Sequence, residues 1–155
     1  EINSINQLNE TKILLNLFNY ESTKDVAVIL LDNLEFMIEN FENENDSDNF
    51  FKYEILNLIF SIYNDDKETV FPFDKKIFDT RVMPSIFVLN KIKKASKNNN
   101  YAELLLSIAV SINGKNWHEI HPEHLNLIFN SLKDYRDGKI LNDILLEILK
   151  KTKII

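Results

Sequence analysis

The sequence predicts an all-α protein, and three observations carry that expectation. Apolar residues recur at intervals of three and four along almost the whole chain, the spacing that lines one face of a helix. Only 2 Gly and 3 Pro occur in 155 residues, which leaves tight β-hairpins little turn chemistry to build on. The polar clusters between the apolar segments also hold Asn, Asp and Ser, the residues that cap helices. The expected architecture is one domain over residues 1–155, with seven or eight antiparallel helices. A HEAT-like right-handed stack and an irregular helical bundle both satisfy that pattern, and no fixed repeat motif separates them.

The elements follow in order. Ile5, Leu8, Lys12 and Leu15 share a face of a first segment that reaches about Phe18. Ser22 is suited to cap a second helix, with Asp25 three residues on. Its inner stripe would be Val26, Leu30, Leu34, Met37 and Phe41. ENENDSDN, Glu42 to Asn49, reads as a polar loop. A third helix is expected from about Phe50 to Tyr63, with Phe51, Ile55, Leu58, Ile59 and Ile62 inward, before a loop over Asn64–Glu68. A segment from Phe71 to Val82 ends at Met83-Pro84, since proline donates no backbone hydrogen bond and restricts the residue before it.

Ser85 to Lys97 should be helical with Ile86, Leu89 and Ile92 packed. Asn98-Asn99-Asn100 makes a turn whose last residue caps a helix over Tyr101–Ile112. That helix is apolar on most sides, so it is expected at the centre of the domain. Further helices should span about Pro122 to Tyr135 and, after the Asp137-Gly138 turn, Lys139 to Lys151.

Composition excludes several chemistries. With no cysteine there are no disulfides, no thiolate zinc sites and no cysteine nucleophile. Gly114 and Gly138 stand too far apart for a phosphate-cradling loop or a dinucleotide fingerprint. No apolar run reaches the roughly 18 residues of a membrane span, and EINSINQLNE does not read as a signal peptide, so a cytoplasmic location is expected. Ser107 and Ser111 sit on an apolar helix without the glycines of a nucleophile elbow. The acid pairs Asp65-Asp66 and Asp134/Asp137 read as solvated loop-end charges.

WHEIHPEH, Trp117 to His124, holds all 3 histidines of the chain. A zincin helix needs histidines at i and i+4, yet the residue four after His118 is Pro122. The expected structure is a loop over Asn113–His121 that enters a helix with Pro122 at its first position and Glu123 near the positive end of the dipole. Trp117 would anchor that loop, and the histidines would be solvated or capping groups. No metal site and no cofactor are expected.

The charge pattern is more distinctive. Residues 1–84 carry 7 Lys/Arg and 17 Asp/Glu, and residues 85–155 carry 11 and 7, within a net charge of -6. Between Lys24 and Lys52 there is no basic residue, while Asp25, Asp32, Glu35, Glu39, Glu42, Glu44, Asp46 and Asp48 all fall there. On a helix, Asp25, Asp32, Glu35 and Glu39 cluster opposite the apolar stripe. Such a one-signed face steers encounter with a cationic protein and would repel nucleic acid.

The stretches YEILNLIFSIYND, starting at Tyr53, and GKILNDILLEILKK, Gly138 to Lys151, resemble helices of the immunity proteins of contact-dependent growth inhibition and other polymorphic toxin systems. The resemblance covers under a fifth of the chain. It implies a non-enzymatic, single-domain antidote that binds a cognate toxin, commonly a basic nuclease, and it carries over no catalytic residues. The expected contact residues are then Asp25, Asp32, Glu35, Glu39, Glu42, Glu44, Asp46 and Asp48, with Asp65 and Asp66 at the edge and Phe36 or Tyr20 as anchors. The partner is a protein, with no nucleic acid and no membrane, and the free chain is expected to be a monomer. The alternative is a helical scaffold or adaptor that takes a peptide or protein on apolar or basic surface near Lys91, Lys93, Lys94 and Lys97.

Overall fold

The computed structural model describes residues 46–63, 81–152 and 154, together with Lys12, Val28, Ile29, Asp32 and Asn33; for 46–50, 62, 63, 136 and 137 it describes the backbone alone. The described residues form five α-helices and no strand: α1 (Asp46–Tyr63), α2 (Ile86–Lys97), α3 (Tyr101–Ile112), α4 (Pro122–Leu132) and α5 (Lys139–Lys151). Short 3-10 turns lie at Trp117–Glu119 and Tyr135–Gly138. The protein is all-α. Most of the helices expected before Asp46, and the segment 71–80, lie outside the described residues.

Local chemistry explains the helix ends. Pro84 precedes α2, and the carbonyl of Ser85 accepts the amides of Val88 and Leu89. Asn100 caps α3 by accepting the amide of Glu103 at 3.4 Å, and its own amide donates to the Glu103 carboxylate at 2.9 Å. Asn113 ends α3 with φ 48°, the left-handed conformation that asparagine tolerates better than most residues. Gly138 takes φ 76° ahead of α5, where a Cβ would add strain. α1 starts at Asp46, earlier than the expected Phe50, so the end of the acidic loop is helical. Acidic residues in a first turn are favoured by the helix dipole, so DSDN suits the start of the helix as well as it suits a loop.

α4 is the central helix. It packs on α1, α2, α5 and the 135–138 turn, and its Leu125, Ile128, Phe129 and Leu132 are all buried. Around it lie Phe51, Ile55, Leu56, Ile59 and Phe60 of α1, Ile92 and Ala95 of α2, and Leu141, Leu145, Ile148 and Leu149 of α5. α2 lies between α3 and α4, and its most extensive contact is with α3.

Three expectations fail here. α3 was expected at the centre, but it is peripheral: Leu104 and Ile108 face the core while Leu106 and Val110 are 66% and 59% exposed. Apolar residues all round a helix permit full burial but do not supply neighbours on every side. Ile86 was expected to pack and is instead 61% exposed, because the inward arc of α2 is Leu89, Ile92 and Ala95. The helix expected to continue to Tyr135 stops at Leu132, and Tyr135 stacks on Tyr101 with ring centroids 4.2 Å apart.

Candidate functional site

The histidine segment folds as a loop, a 3-10 turn and a helix start. Asn116 and Glu119 close a capping box around the turn, with the Asn116 amide donating to Glu119 Oε2 at 2.7 Å. That hydrogen bond holds the Glu119 carboxyl below its ordinary range. His121 caps α4, its Nδ1 accepting the amide of Glu123 at 3.2 Å, and Pro122 takes the first helical position. Trp117 is half-buried against the core.

The three imidazoles have three different environments. His118 is exposed and meets the edge of Phe51 with centroids 6.4 Å apart. His121 is a cap. His124 is 1% exposed, which corrects the expectation that the histidines are solvated or capping. Its Nε2 lies 2.9 Å from Ser111 Oγ on α3. Ser111 donates its own hydroxyl proton to the Ile108 carbonyl at 2.7 Å. The hydroxyl is therefore the acceptor toward His124, and Nε2 carries the hydrogen. That polarity is opposite to the base-activated serine of a nucleophilic site. Burial, with Lys115 and His121 nearby, pushes His124 down from 6.5 to about 4. Among the described residues no group of three or more His, Asp or Glu is placed to hold a metal ion.

A second cluster ties the chain segment before α2 to α1 and to the histidine loop. Arg81 Nη2 donates to Glu54 Oε2 at 2.6 Å, with side-chain exposures of 16% and 19%. Its Nη1 reaches the His118 carbonyl at 3.4 Å, and its guanidinium carbon sits 5.5 Å above the Phe51 ring. One planar cation thus bridges three segments remote in sequence. Arg81→Ala is expected to lower stability by about 2 kcal/mol, read as a shift in the urea midpoint at unchanged slope. Arg81→Lys should recover little of it, because an ammonium keeps the charge but loses the planar stacking.

Of the expected acidic contact residues, Asp32 is helical and exposed. Asp46 begins α1 and Asp48 lies in its first turn. Asp25, Glu35, Glu39, Glu42, Glu44, Asp65 and Asp66, with Phe36 and Tyr20, lie outside the described residues.

The alternative surface is described in full. α2 reads IFVLNKIKKASK, with Lys91, Lys93, Lys94 and Lys97 all exposed and no acidic residue. On the side of α3 opposite its buried residues, Ala102, Leu106, Ala109 and Val110 are exposed within an arc of about 100°. Phe87, at the end of the hairpin where α3 finishes, is 79% exposed. Sequence reasoning placed the lysines but missed the apolar ridge of α3, because it assigned α3 to the core. Among the described residues no helix is long and apolar enough to cross a membrane.

No family model, no curated protein and no solved structure matches the chain.

Proposed function

We propose that the protein is an immunity protein of a polymorphic toxin system, a non-enzymatic inhibitor that binds a cognate bacterial toxin, a basic nuclease, through an acidic face. The observation that carries this reading is the run from Lys24 to Lys52, which holds eight carboxylates and no base between its ends. Asp32, on which the described residues report directly, is exposed and helical as the reading requires. Like charges gathered without intrahelical lysine partners cost stability, and a cationic partner offsets that cost by pairing with them. The acidic side chains would imitate the phosphates that the toxin recognises, and a standard interface of about 800 Å² per partner would engage most of them.

The reading places the protein in the cytoplasm, as a monomer when free. It also takes the whole chain as seven or eight antiparallel helices. Two hairpins, α2/α3 and α4/α5, meet through α2 and α4, which supports a HEAT-like stack. The packing of α1 on α4, out of chain order, supports an irregular bundle.

The test is to read the adjacent reading frame and, where it encodes a large secreted protein with a variable C-terminus, to co-express that C-terminal domain with the chain. The chain should restore growth. The triple reversal Asp32→Lys, Glu35→Lys, Glu39→Lys should slow association with that domain by about tenfold or more and remove much of its salt dependence. Unchanged association in the reversed chain would dismiss the acidic face. Failure to rescue growth would dismiss the immunity reading itself.

A further inference from the structure

Among the described residues two asparagines take the left-handed conformation, Asn99 with φ 52° before α3 and Asn113 with φ 48° at its end. Both are exposed, and asparagine tolerates that region better than most residues. The amides that follow them differ. The amide of Asn100, after Asn99, donates to the Ala95 carbonyl at 2.9 Å. The amide of Gly114, after Asn113, donates to no group among the described residues. That turn is closed instead by the Asn113 amide on the Ala109 carbonyl at 3.2 Å and the Lys115 amide on the Ile112 carbonyl at 3.0 Å.

The side chains differ in the same sense. Asn99 Oδ1 accepts the Tyr101 hydroxyl at 3.4 Å, whereas the Asn113 carboxamide has no hydrogen-bond partner among the described residues. In every asparagine the carboxamide carbon stands close along the chain to the next backbone nitrogen, and access decides whether the two react. Gly114 has no Cβ to shield its nitrogen. A Cβ placed there would meet no atom within 4 Å outside its chain neighbours, so the peptide unit has room to turn. Asn113 is also the one asparagine of the sequence that precedes a glycine.

We propose that Asn113 is a self-modification site, at which the Gly114 nitrogen attacks the side-chain carboxamide and converts the residue to aspartate and isoaspartate. Base removes the Gly114 amide proton, and the nitrogen forms a bond to Asn113 Cγ. The Cγ–Nδ2 bond breaks, Nδ2 takes up a proton and leaves as ammonia, and a cyclic imide remains. Water then opens the imide at Cγ to give aspartate, or at the backbone carbonyl carbon to give isoaspartate. Water is the only co-reactant, and nothing is oxidised or reduced. Either product weakens the end of α3. A carboxylate there meets the negative end of the helix dipole. Isoaspartate also lengthens the main chain by a methylene close to Ser111, whose hydroxyl pairs with the buried His124.

The test ages the full chain at mildly alkaline pH and body temperature and then digests it with trypsin, beside an unaged sample that controls for conversion during digestion. Residues 98–115 form one tryptic peptide that carries both left-handed asparagines. Fragment-ion spectra should place the mass gain of an amide-to-acid change on Asn113, growing at least about tenfold faster than on Asn99 and faster still as pH rises. Asn113→Gly keeps a left-handed cap without a carboxamide and should gain no mass at that position. Gly114→Ala crowds the nitrogen and should slow the change by about tenfold or more. Both positions are exposed, and circular dichroism should show both variants folded. The urea midpoint of the aged wild-type chain should fall, while that of aged Asn113→Gly should hold. The proposal is overturned if Asn113 keeps its amide in the folded chain yet converts in denaturant, because the fold would then hold nitrogen and carboxamide apart. Conversion of Asn99 at an equal rate overturns it too, as does a wild-type rate in Gly114→Ala.

Discussion

Phe129→Ala is expected to lower stability by about 4 kcal/mol, among the largest single-truncation effects in the described residues. Phe129 is 0% exposed on α4, the helix on which α1, α2 and α5 all pack. Removing its ring from this packed core leaves a cavity that its surroundings close only in part, so the transfer loss and the cavity term add. Against a typical domain stability of about 5–15 kcal/mol, that brings the protein close to unfolding at room temperature. Urea denaturation followed by Trp117 fluorescence measures it. The matched control is Leu106→Ala on α3. At 66% exposure, its truncation should cost under about 0.5 kcal/mol. If the two costs came out alike, α3 and not only α4 would be central to the core.

Acidification is expected to produce the second large effect, through His124. The folded protein holds this imidazole neutral down to about 4, against 6.5 in the unfolded chain. Between those values the unfolded chain binds the extra proton and the folded one does not, so unfolding becomes easier as pH falls. The contribution is fully present above pH 6.5 and is lost progressively toward pH 4, amounting to roughly 3 kcal/mol over that window. Its cause is the burial of the ring against Ser111, with Lys115 and His121 adding positive charge nearby. His124→Gln keeps a donor for Ser111 and cannot titrate in this range. The difference between the two proteins in stability measured from pH 7 to pH 4 isolates His124 from the carboxylates. A constant difference across that range would show that the ring is not shielded from protons in the folded state.

Comparison of particular elements shows where the sequence was informative. The bounds of α3 and α5, the caps at Asn100 and His121–Pro122, and the interruption at Met83-Pro84 were all legible. Each depends on groups within four residues of one another. The start of α1 was misjudged because ENENDSDN is equally good loop and first-turn composition, and the choice rests on what the rest of the helix buries. The burial of His124 depends on Ser111, 13 residues away, and the Arg81 cluster on Glu54 and His118, 27 and 37 residues away. No spacing rule reaches that far. The acidic charge run was plain in the sequence; of its residues Asp32 is helical and exposed, and most of the others lie outside the described residues. The apolar ridge of α3 was hidden because its leucines looked like core.

By itself, then, the sequence determined the helical class, most helix ends from α2 onward and the segregation of charge, since all three are written in residue type and short-range spacing. Only the tertiary structure decided that α4 is central and α3 peripheral. It alone placed one histidine out of water and turned Leu106 and Val110 toward it. Burial is conferred by neighbours that arrive from distant parts of the chain, and an amphipathic pattern names the side that can be covered without naming what covers it.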